Sequence, residues 1–193
     1  MTPSVAAIVL AAGSSTRMGR NKLLLEIEGE TLVRRVVRAT GAAGLDRVVV
    51  VLGHDEARVR AQLDGLSCET VVNPDHARGA GTSVHAGVRH VAAEAGAVVI
   101  VLADMPLVTA PMIKGLVDRY RATRAPVVFS RYGTVQAPPT LYDRSLFGEL
   151  LAIDDDRGGK QVVVRHQAEA EAVAWPEDAL HDIDSPADYD RIV

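Results

Sequence analysis

The sequence contains one cysteine, Cys68, among 193 residues. A single cysteine excludes an intrachain disulfide and any metal site built from several cysteines. It also favours a reducing compartment, so we expect a cytoplasmic protein. The six histidines include no pair spaced four residues apart, which is the spacing that places two histidines on one helix face to bind zinc. The sequence therefore gives no indication of a cysteine-based or histidine-based metal site.

A basic excess and a long apolar run are absent as well. The formal net charge is -4, whereas nucleic acids and membrane surfaces attract proteins with a concentrated basic face. The apolar stretch at positions 5–12 is too short for a secretory signal or a membrane span. We therefore expect no nucleic-acid partner and no membrane partner, and any nucleotide to be bound as a small molecule. The length predicts one domain, residues 1–193, with its own hydrophobic core.

Strand and helix patterns alternate along the chain. Short β-branched or apolar runs predict strands at 5–10, 47–52, 69–72, 97–102 and 126–130. Helical spacing of apolar residues predicts helices at 31–40, 56–63 and 110–120, and one that follows Ser83. This alternation predicts an α/β fold with parallel strands and right-handed crossovers. The run at 97–102 is apolar along its whole length, which indicates a central strand covered on both faces.

A loop of small and basic residues, 10–22, directly follows the first predicted strand and reads Leu-Ala-Ala-Gly-Ser-Ser-Thr-Arg-Met-Gly-Arg-Asn-Lys. We expect Gly13 and Gly19 to adopt backbone angles closed to other residues, so that backbone amides can face an anion. Arg17 and Lys22 add two positive charges, which suits a phosphate. The spacing fits neither the P-loop nor the dinucleotide-binding pattern. From composition alone, a solvated loop between a strand and a helix explains these residues equally well.

A second glycine-rich turn, residues 73–83, also lies between a predicted strand and a predicted helix. Thr82 or Ser83 could cap that helix. Alternatively, Gly79 and Gly81 let the backbone approach a flat base or a ribose while Ser83 presents its hydroxyl group. Composition leaves both interpretations open.

An aspartate, Asp104, follows the most hydrophobic predicted strand within two residues. Strand ends of a parallel sheet meet at one edge, so Asp104 is expected near the first loop. Mg²⁺ usually takes one or two carboxylates together with substrate phosphates, which makes Asp104 a candidate magnesium ligand. Its alternative role is to cap the following helix, but Thr109 is better placed for that.

The first loop, with leucines at 23–25 and Gly29, resembles the signature of nucleotidyltransferases related to the molybdenum cofactor enzymes, within the wider sugar-nucleotide pyrophosphorylase-like group. The alanine at position 12 most resembles the cytidylyltransferase branch of that family. The Asp-x-Pro at Asp104 and the Asp-Ile-Asp-Ser-Pro at 182–186 are similar to further family blocks. The resemblance runs the length of the chain, though unevenly.

The resemblance implies a three-layer Rossmann-like nucleotide-diphospho-sugar transferase fold with a mostly parallel central sheet. It divides the chain into a nucleotide-binding half, 1–110, and an acceptor-binding half, 111–193. The catalytic residues expected from it are Arg17, Lys22 and Asp104, and the Mg²⁺ ligands are Asp104 and Asp184, with Asp182 as a second candidate. The nucleotide-binding residues expected from it are Leu10, Ala11, Ala12, Gly13, Ser14, Ser15, Lys22, Asn73, Gly79 and Ser83.

The activity implied is transfer of CMP from CTP to the phosphate of a molybdopterin-type cofactor, with release of pyrophosphate. An ionised phosphate is already a nucleophile, so no general base is needed, in agreement with the lack of a Ser/His/Asp arrangement. A molybdenum hydroxylase is a possible partner. Three alternatives stay open: a GTP-using molybdopterin guanylyltransferase, a cytidylyltransferase acting on a sugar or polyol phosphate, and a non-catalytic carrier of the cofactor. The joint presence of the basic loop residues and both aspartates argues against a carrier.

The acceptor half departs from the family pattern. Relatives usually show Gly-x-Pro-x-Leu-Phe where this chain has Gln136 and Ala137 followed by Pro-Pro-Thr-Leu-Tyr, and Gly-Asp-x-Gly-Ala-Arg where it has residues 155–160. Asp156 matches the second block, whereas Asp155 replaces a glycine. These departures leave the identity of the acceptor open.

Overall fold

Seven strands form one sheet in the computed structural model, which describes residues 3–15, 19–153, 159–183 and 185–192. Two further short strands form a separate hairpin. In chain order the strands are β1 (Val5–Ala11), β2 (Glu26–Ile27), β3 (Glu30–Thr31), β4 (Arg47–Leu52), β5 (Glu69–Val72), β6 (Ala97–Leu102), β7 (Val127–Tyr132), β8 (Val135–Asp143) and β9 (Glu171–Trp175). The order across the large sheet is β5-β4-β1-β6-β8-β7-β9. The hairpin consists of β2 and β3.

The large sheet is mostly parallel, as predicted. Its parallel neighbours are β5 with β4, β4 with β1, β1 with β6, and β7 with β9. Strand β8, which was not among the predicted strands, is the exception and runs antiparallel to both β6 and β7. Only two residues, 133 and 134, connect β7 to β8, and a parallel crossover needs a dozen or more. The central position predicted for β6 is confirmed, because it is the fourth of seven strands.

Helices cover both faces of the sheet, which gives the predicted three layers. They are α1 (Leu32–Gly41), α2 (Glu56–Ala61), α3 (Ala80–Val91), α4 (Ala110–Thr123), α5 (Phe147–Leu151), α6 (Lys160–Arg165) and α7 (Pro186–Asp190). Apolar side chains of α1, α2 and α4 pack with Val5, Ala7 and Val9 of β1 on one face. Those of α3, α5 and α6 pack with Ala6 and Ile8 on the other. The alternation of side chains along β1 separates the two cores. None of the described helices is long and apolar enough to cross a membrane.

Helix α3 begins earlier than predicted. The chain turns at Gly79, whose φ is 124°, and Ala80 is the first helical residue. Thr82 and Ser83 therefore lie inside the first turn, which rules out the alternative in which one of them caps the helix. Because Gly79 occupies the position before the helix and offers no side chain, the helix begins without a side-chain cap.

The C-terminal segment returns to the β2–β3 hairpin. Ile183 is fully buried in a small cluster with Leu25, Ile27 and Leu32. Ser185 is the N-cap of α7, where its hydroxyl accepts from the backbone amide of Asp188 and the Asp188 side chain accepts from the backbone amide of Ser185 in a capping box. These contacts fix the tail beside the first loop.

Candidate active site

A cleft of about 550 Å³ opens at the edge of the sheet where β1 and β6 end. Most of the predicted site residues line it, namely Leu10, Ala12, Gly13, Ser14, Ser15, Lys22, Gly79, Ser83 and Asp104. Ala11 and Asn73 are buried behind its wall. Arg17, Asp156 and Asp184 lie outside the described residues. The structure thus brings together the first loop, the second turn and the aspartate after β6, which are far apart in the sequence.

The first loop is shaped by Ser15 and Gly19, whose φ angles are 51° and 64°. Gly13 was expected to adopt such an angle, but its φ lies outside this region. Apart from its two chain neighbours, no described residue has an atom within 4 Å of the place where a Cβ of Gly13 would stand. A side chain at position 13 would therefore project into open space, and glycine leaves that space free. The backbone amide of Lys22 donates to Ser15 Oγ at 3.1 Å, which closes the loop.

Asn21 orients the end of this loop, a role that the sequence analysis did not assign. Its Oδ1 accepts a hydrogen bond from the amide of Leu23 at 3.1 Å, and it thereby caps a short 3-10 helix, Lys22–Leu24. Asparagine is a preferred N-cap residue, so the signal was present in the sequence. The cap fixes the backbone that carries Lys22.

The second turn is held by Asn73. The Asn73 side-chain amide donates to Thr82 Oγ1 at 2.8 Å and to Ser83 Oγ at 3.0 Å, while its Oδ1 accepts from the amide of Asp75 at 3.0 Å. Asn73 is 3% exposed, and its side-chain amide is the donor in the hydrogen bonds to both hydroxyl groups. Asn73 therefore acts on the cleft by orienting Ser83, which lines it.

Asp104 lies at the centre of the charged part of the cleft. Its Oδ2 is 2.7 Å from Lys22 Nζ, and the two side chains are 21% and 13% exposed. The backbone amide of Ile183 donates to the carbonyl of Asp104 at 3.1 Å. The C-terminal tail is thus fastened to the residue that follows β6. Asp182 is exposed on that tail.

The sequence profile of the MobA-like NTP transferase domain matches residues 7–170, which include both turns and Asp104. The chain belongs to the MobA-like NTP transferase family. It is 30% identical over 207 residues to the purine catabolism protein PucB of Bacillus subtilis, with 99% of this chain and 97% of PucB covered. It is 34% identical to the bifunctional protein GlmU of Sorangium cellulosum, but it spans only 35% of that protein's length.

Solved structures agree with this membership. Rv0371c from Mycobacterium tuberculosis H37Rv superposes with a TM-score of 0.88 at 26% identity, covering 100% of this chain and 98% of that one. The complex of Rv0371c with manganese superposes with a TM-score of 0.83 at 27% identity over 98% and 97% of the two chains. The nucleotidyltransferase fold predicted from the first loop is confirmed.

The donors in this MobA-like cleft fit a divalent cation that is completed by substrate. Among residues 3–15, 19–153, 159–183 and 185–192, no three histidine, cysteine or acidic side chains group as a metal site. The cleft does contain the Asp104 carboxylate, a hard oxygen ligand. Mg²⁺ commonly binds through one or two carboxylates while substrate phosphates supply further ligands. A closed protein cage is therefore not required.

An apolar pocket of about 240 Å³ adjoins the cleft and shares Leu10, Ala80 and Leu102 with it. Its other walls come mainly from β8 and α6, in the predicted acceptor half, and include Gln136, Ala137 and Lys160. Burial raises the pKa of Tyr142, which also lines the pocket, so its hydroxyl stays neutral at physiological pH. The pocket is mostly apolar with one lysine at its rim.

His76 is a cleft residue that the sequence analysis missed. It lies in a short 3-10 helix, His76–Arg78, between Asn73 and α3, and its side chain lines the cleft. The ring centroid of His54 lies 6.2 Å from that of His76. No sequence motif indicates His76, because the residues that surround it follow two other strands and are distant in the sequence.

Proposed function

We propose that this protein transfers CMP from CTP to the phosphate of a molybdopterin-type cofactor and releases pyrophosphate. The observation that carries the proposal is the 2.7 Å contact of Lys22 Nζ with Asp104 Oδ2 inside a cleft lined by the small residues of the first loop. A cation and a hard anion at one strand-end cleft suit a triphosphate with a divalent ion. Membership of the MobA-like family supports nucleotidyl transfer.

Different residues of the chain have different roles in the proposed reaction. The amides of the first loop and the side chains of Arg17 and Lys22 bind the triphosphate, and Ser83 contacts the nucleoside. The terminal phosphate oxygen of the acceptor attacks the α-phosphorus of CTP, a new phosphorus–oxygen bond forms, and the bond to the β-phosphate oxygen breaks. Such transfers depend mainly on positioning and charge neutralisation. Asp104 and Asp184 would hold a divalent ion such as Mg²⁺, which would supply further charge neutralisation, and the manganese complex of Rv0371c supports a divalent ion.

The adjoining apolar pocket supports an acceptor with a flat, partly apolar ring system. A molybdopterin-type cofactor presents such a ring together with a phosphate, whereas a sugar phosphate presents mainly hydroxyl groups that this pocket does not match. Lys160 at the rim adds a positive charge for an anionic group. We accordingly assign nucleotide binding to residues 1–110 and acceptor binding to residues 111–193 of one domain.

The proposal also covers the localisation of the protein, the recipient of its product and the choice of nucleotide. We assign the enzyme to the cytoplasm, where the single cysteine stays reduced. A molybdenum hydroxylase is the proposed recipient of the product. The choice of CTP over GTP rests on Ala12, which lines the cleft and is bulkier than the glycine that the guanylyltransferase branch usually has at this position.

The test is pyrophosphate release with Mg²⁺ and molybdopterin, in molybdenum-loaded and metal-free forms, with CTP, GTP, ATP and UTP offered separately. We expect release with CTP, and we expect Asp104→Ala to reduce it about 10²-fold to 10³-fold, because a charge-stabilising group at the reacting centre is lost. Asp118→Ala is the matched control, since Asp118 also pairs with a lysine, Lys114 at 2.5 Å, but on an exposed helix face.

Each outcome decides between the alternatives. Release with GTP would keep the reaction class and replace CTP by GTP. Binding of CTP without release for either form of molybdopterin would favour another acceptor or a carrier. Near-normal release by Asp104→Ala at saturating Mg²⁺ would contradict the role of Asp104.

A further inference from the structure

His76 is packed against the ends of two strands of the central sheet. A Cβ placed on Gly53, the residue after β4, would lie 2.7 Å from His76 Cβ and 2.8 Å from His76 Cγ and from Ala12 Cβ. Atoms that close leave no room for a side chain at position 53. Gly53 thus makes the space in which the His76 ring stands beside Ala12, and the amide of His54 fastens the same region by donating to the Ala12 carbonyl at 3.2 Å.

The ring of His76 carries a polar atom without a partner. Nδ1 is shielded from solvent and has no hydrogen-bond partner among the described residues. A buried polar atom left unpaired costs about 1 to 3 kcal/mol. Since Nδ1 is shielded, Nε2 is the ring nitrogen that remains for a ligand in the cleft. The side chain itself lines the substrate cleft.

The shielding of Nδ1 indicates which nitrogen carries the proton. In a neutral imidazole one ring nitrogen donates and the other accepts. Because no described atom accepts a proton from Nδ1, we assign the lone pair to Nδ1 and the N–H group to Nε2, where a ligand in the cleft can accept from it. His76 therefore offers the cleft a hydrogen-bond donor.

The position of His76 in the cleft indicates which part of a bound nucleotide its N–H group would contact. It stands over the ends of β4 and β1, whereas Asp104 follows β6, on the far side of β1. Neighbouring strands lie about 4.8 Å apart, so β4 and β6 are separated by roughly 10 Å. Lys22 and Asp104 mark the phosphate end of a bound nucleotide. His76, with Ala12, lies toward the other end.

We propose that His76 donates a hydrogen bond from Nε2 to an acceptor atom on the nucleobase, a ring nitrogen or a carbonyl oxygen, and thereby positions the base beside Ala12. This inference rests on the proposed function, because it requires a nucleoside triphosphate in the cleft. It adds a base contact that pairs a side chain of the second turn with one of the first loop.

The test compares three substitutions at one position by isothermal titration with CTP and Mg²⁺. His76→Phe keeps the ring volume and removes both nitrogens, and we expect it to weaken CTP binding about threefold to tenfold, the value of one net hydrogen bond. His76→Gln places an amide nitrogen near Nε2 and should restore binding to within about twofold. His76→Asn places its amide near Nδ1 and should not. Inorganic tripolyphosphate, titrated in parallel, should bind all variants alike.

His90→Phe is the matched control. His90 lies near the end of α3, about 15 Å along the helix from Ala80, and its Nε2 is 2.9 Å from Glu69 Oε2 on the surface. Circular dichroism verifies that every variant is folded.

The outcomes separate the inference from the proposed function. Unchanged CTP affinity in His76→Phe, or equal losses in the phenylalanine and glutamine variants, would overturn the base contact while nucleotide binding stood. An equal loss for tripolyphosphate would assign His76 to a phosphate instead and overturn the base contact too. A wild-type protein that binds no nucleotide would overturn both.

Discussion

The ion pair of Lys22 and Asp104 joins two residues that the sequence assigns to different tasks. Lys22 is expected on the triphosphate and Asp104 on the cation, yet their charged atoms are 2.7 Å apart. The pair is mostly shielded from solvent, so its attraction is screened less than that of a surface pair. In the proposed reaction, an entering metal-bound phosphate would bring one opposite charge to each partner. We therefore expect the pair to hold both side chains in the cleft until substrate separates them.

Replacement of Lys22 should weaken nucleotide use more than folding. In Lys22→Ala a charge-assisted hydrogen bond to phosphate is lost, which is worth about 1.5 to 3 kcal/mol. We expect KM for CTP to rise about 10-fold to 100-fold, measured by steady-state pyrophosphate release. Lys114→Ala, which removes the lysine of an exposed pair with Asp118, should leave KM unchanged. A Lys22→Ala enzyme with the KM of the wild type would show that Lys22 does not bind the triphosphate.

Site residues could be predicted from the sequence where they belong to a local sequence pattern. Lys22, Ser83 and Asp104 each follow a strand within a recognisable block, and the structure places all three in one cleft. His76 could not be predicted, because a lone histidine in a turn has no signature. Its environment depends on Gly53, which is adjacent only after β4 and β1 have paired.

Among the elements, α3 connects the packing of the core to the cleft. Its first turn carries Ser83, and its middle approaches β1 closely at Gly87. A Cβ on Gly87 would clash with Ile8 Cγ2 and lie 3.1 Å from Val51 Cγ2. Both neighbours are fully buried, so neither can move aside easily. The absence of a side chain at Gly87 sets how near α3 lies to the sheet.

The substitution Gly87→Ala should destabilise the protein even though it improves helix propensity. Alanine gains about 0.5 to 1 kcal/mol over glycine in a helix, but overpacking a buried contact costs about 1 to 3 kcal/mol. We expect a net loss of about 1 to 2 kcal/mol in urea unfolding. Gly148→Ala is the control, since Gly148 lies in α5 with no atom within 4 Å of its Cβ position. It should be neutral or slightly stabilising. Equal stability of the two variants would contradict the close packing of α3.

Three strands were predicted to the residue. The strands at 47–52, 69–72 and 97–102 have the predicted bounds, because β-branched runs bounded by glycine or polar residues are clear signals. Strand β8 was not predicted, since Pro138 and Pro139 interrupt its pattern and proline is unusual within sheets. Strand β9 gave no alternation either, because its residues are only partly buried at the sheet edge.

At the scale of the whole molecule, the sheet joins two halves with different pairing. From β5 to β6 all neighbours are parallel, and the cleft opens where β1 and β6 end. The antiparallel β8 then carries the apolar pocket beside it. The tail crosses back to Asp104 through Ile183. The fold class and the cleft edge follow from local patterns, whereas this long-range closure depends on one buried isoleucine that the sequence does not mark.

Three tyrosines from α4, β7 and β8 connect stability of the whole molecule to alkaline pH. Burial raises the pKa of Tyr120 and of Tyr132 to about 12, and that of Tyr142 in the same direction. An unfolded chain has a tyrosine pKa near 10. Stability is therefore fully present below pH 10 and declines as pH rises toward about 12, because the unfolded state releases its protons first.

We expect tyrosinate absorbance and loss of circular dichroism to rise together between pH 10 and 12 in an alkaline titration. Tyr120→Phe removes one of these ionisations together with the 2.6 Å hydrogen bond to Asp143. At neutral pH its free energy of unfolding should be about 1 kcal/mol lower than that of the wild type. This difference should shrink as the pH rises from 10 to 12, because only the wild type is destabilised by ionisation of Tyr120. Tyrosine ionisation complete near pH 10 with the dichroism intact would contradict the burial of these hydroxyl groups.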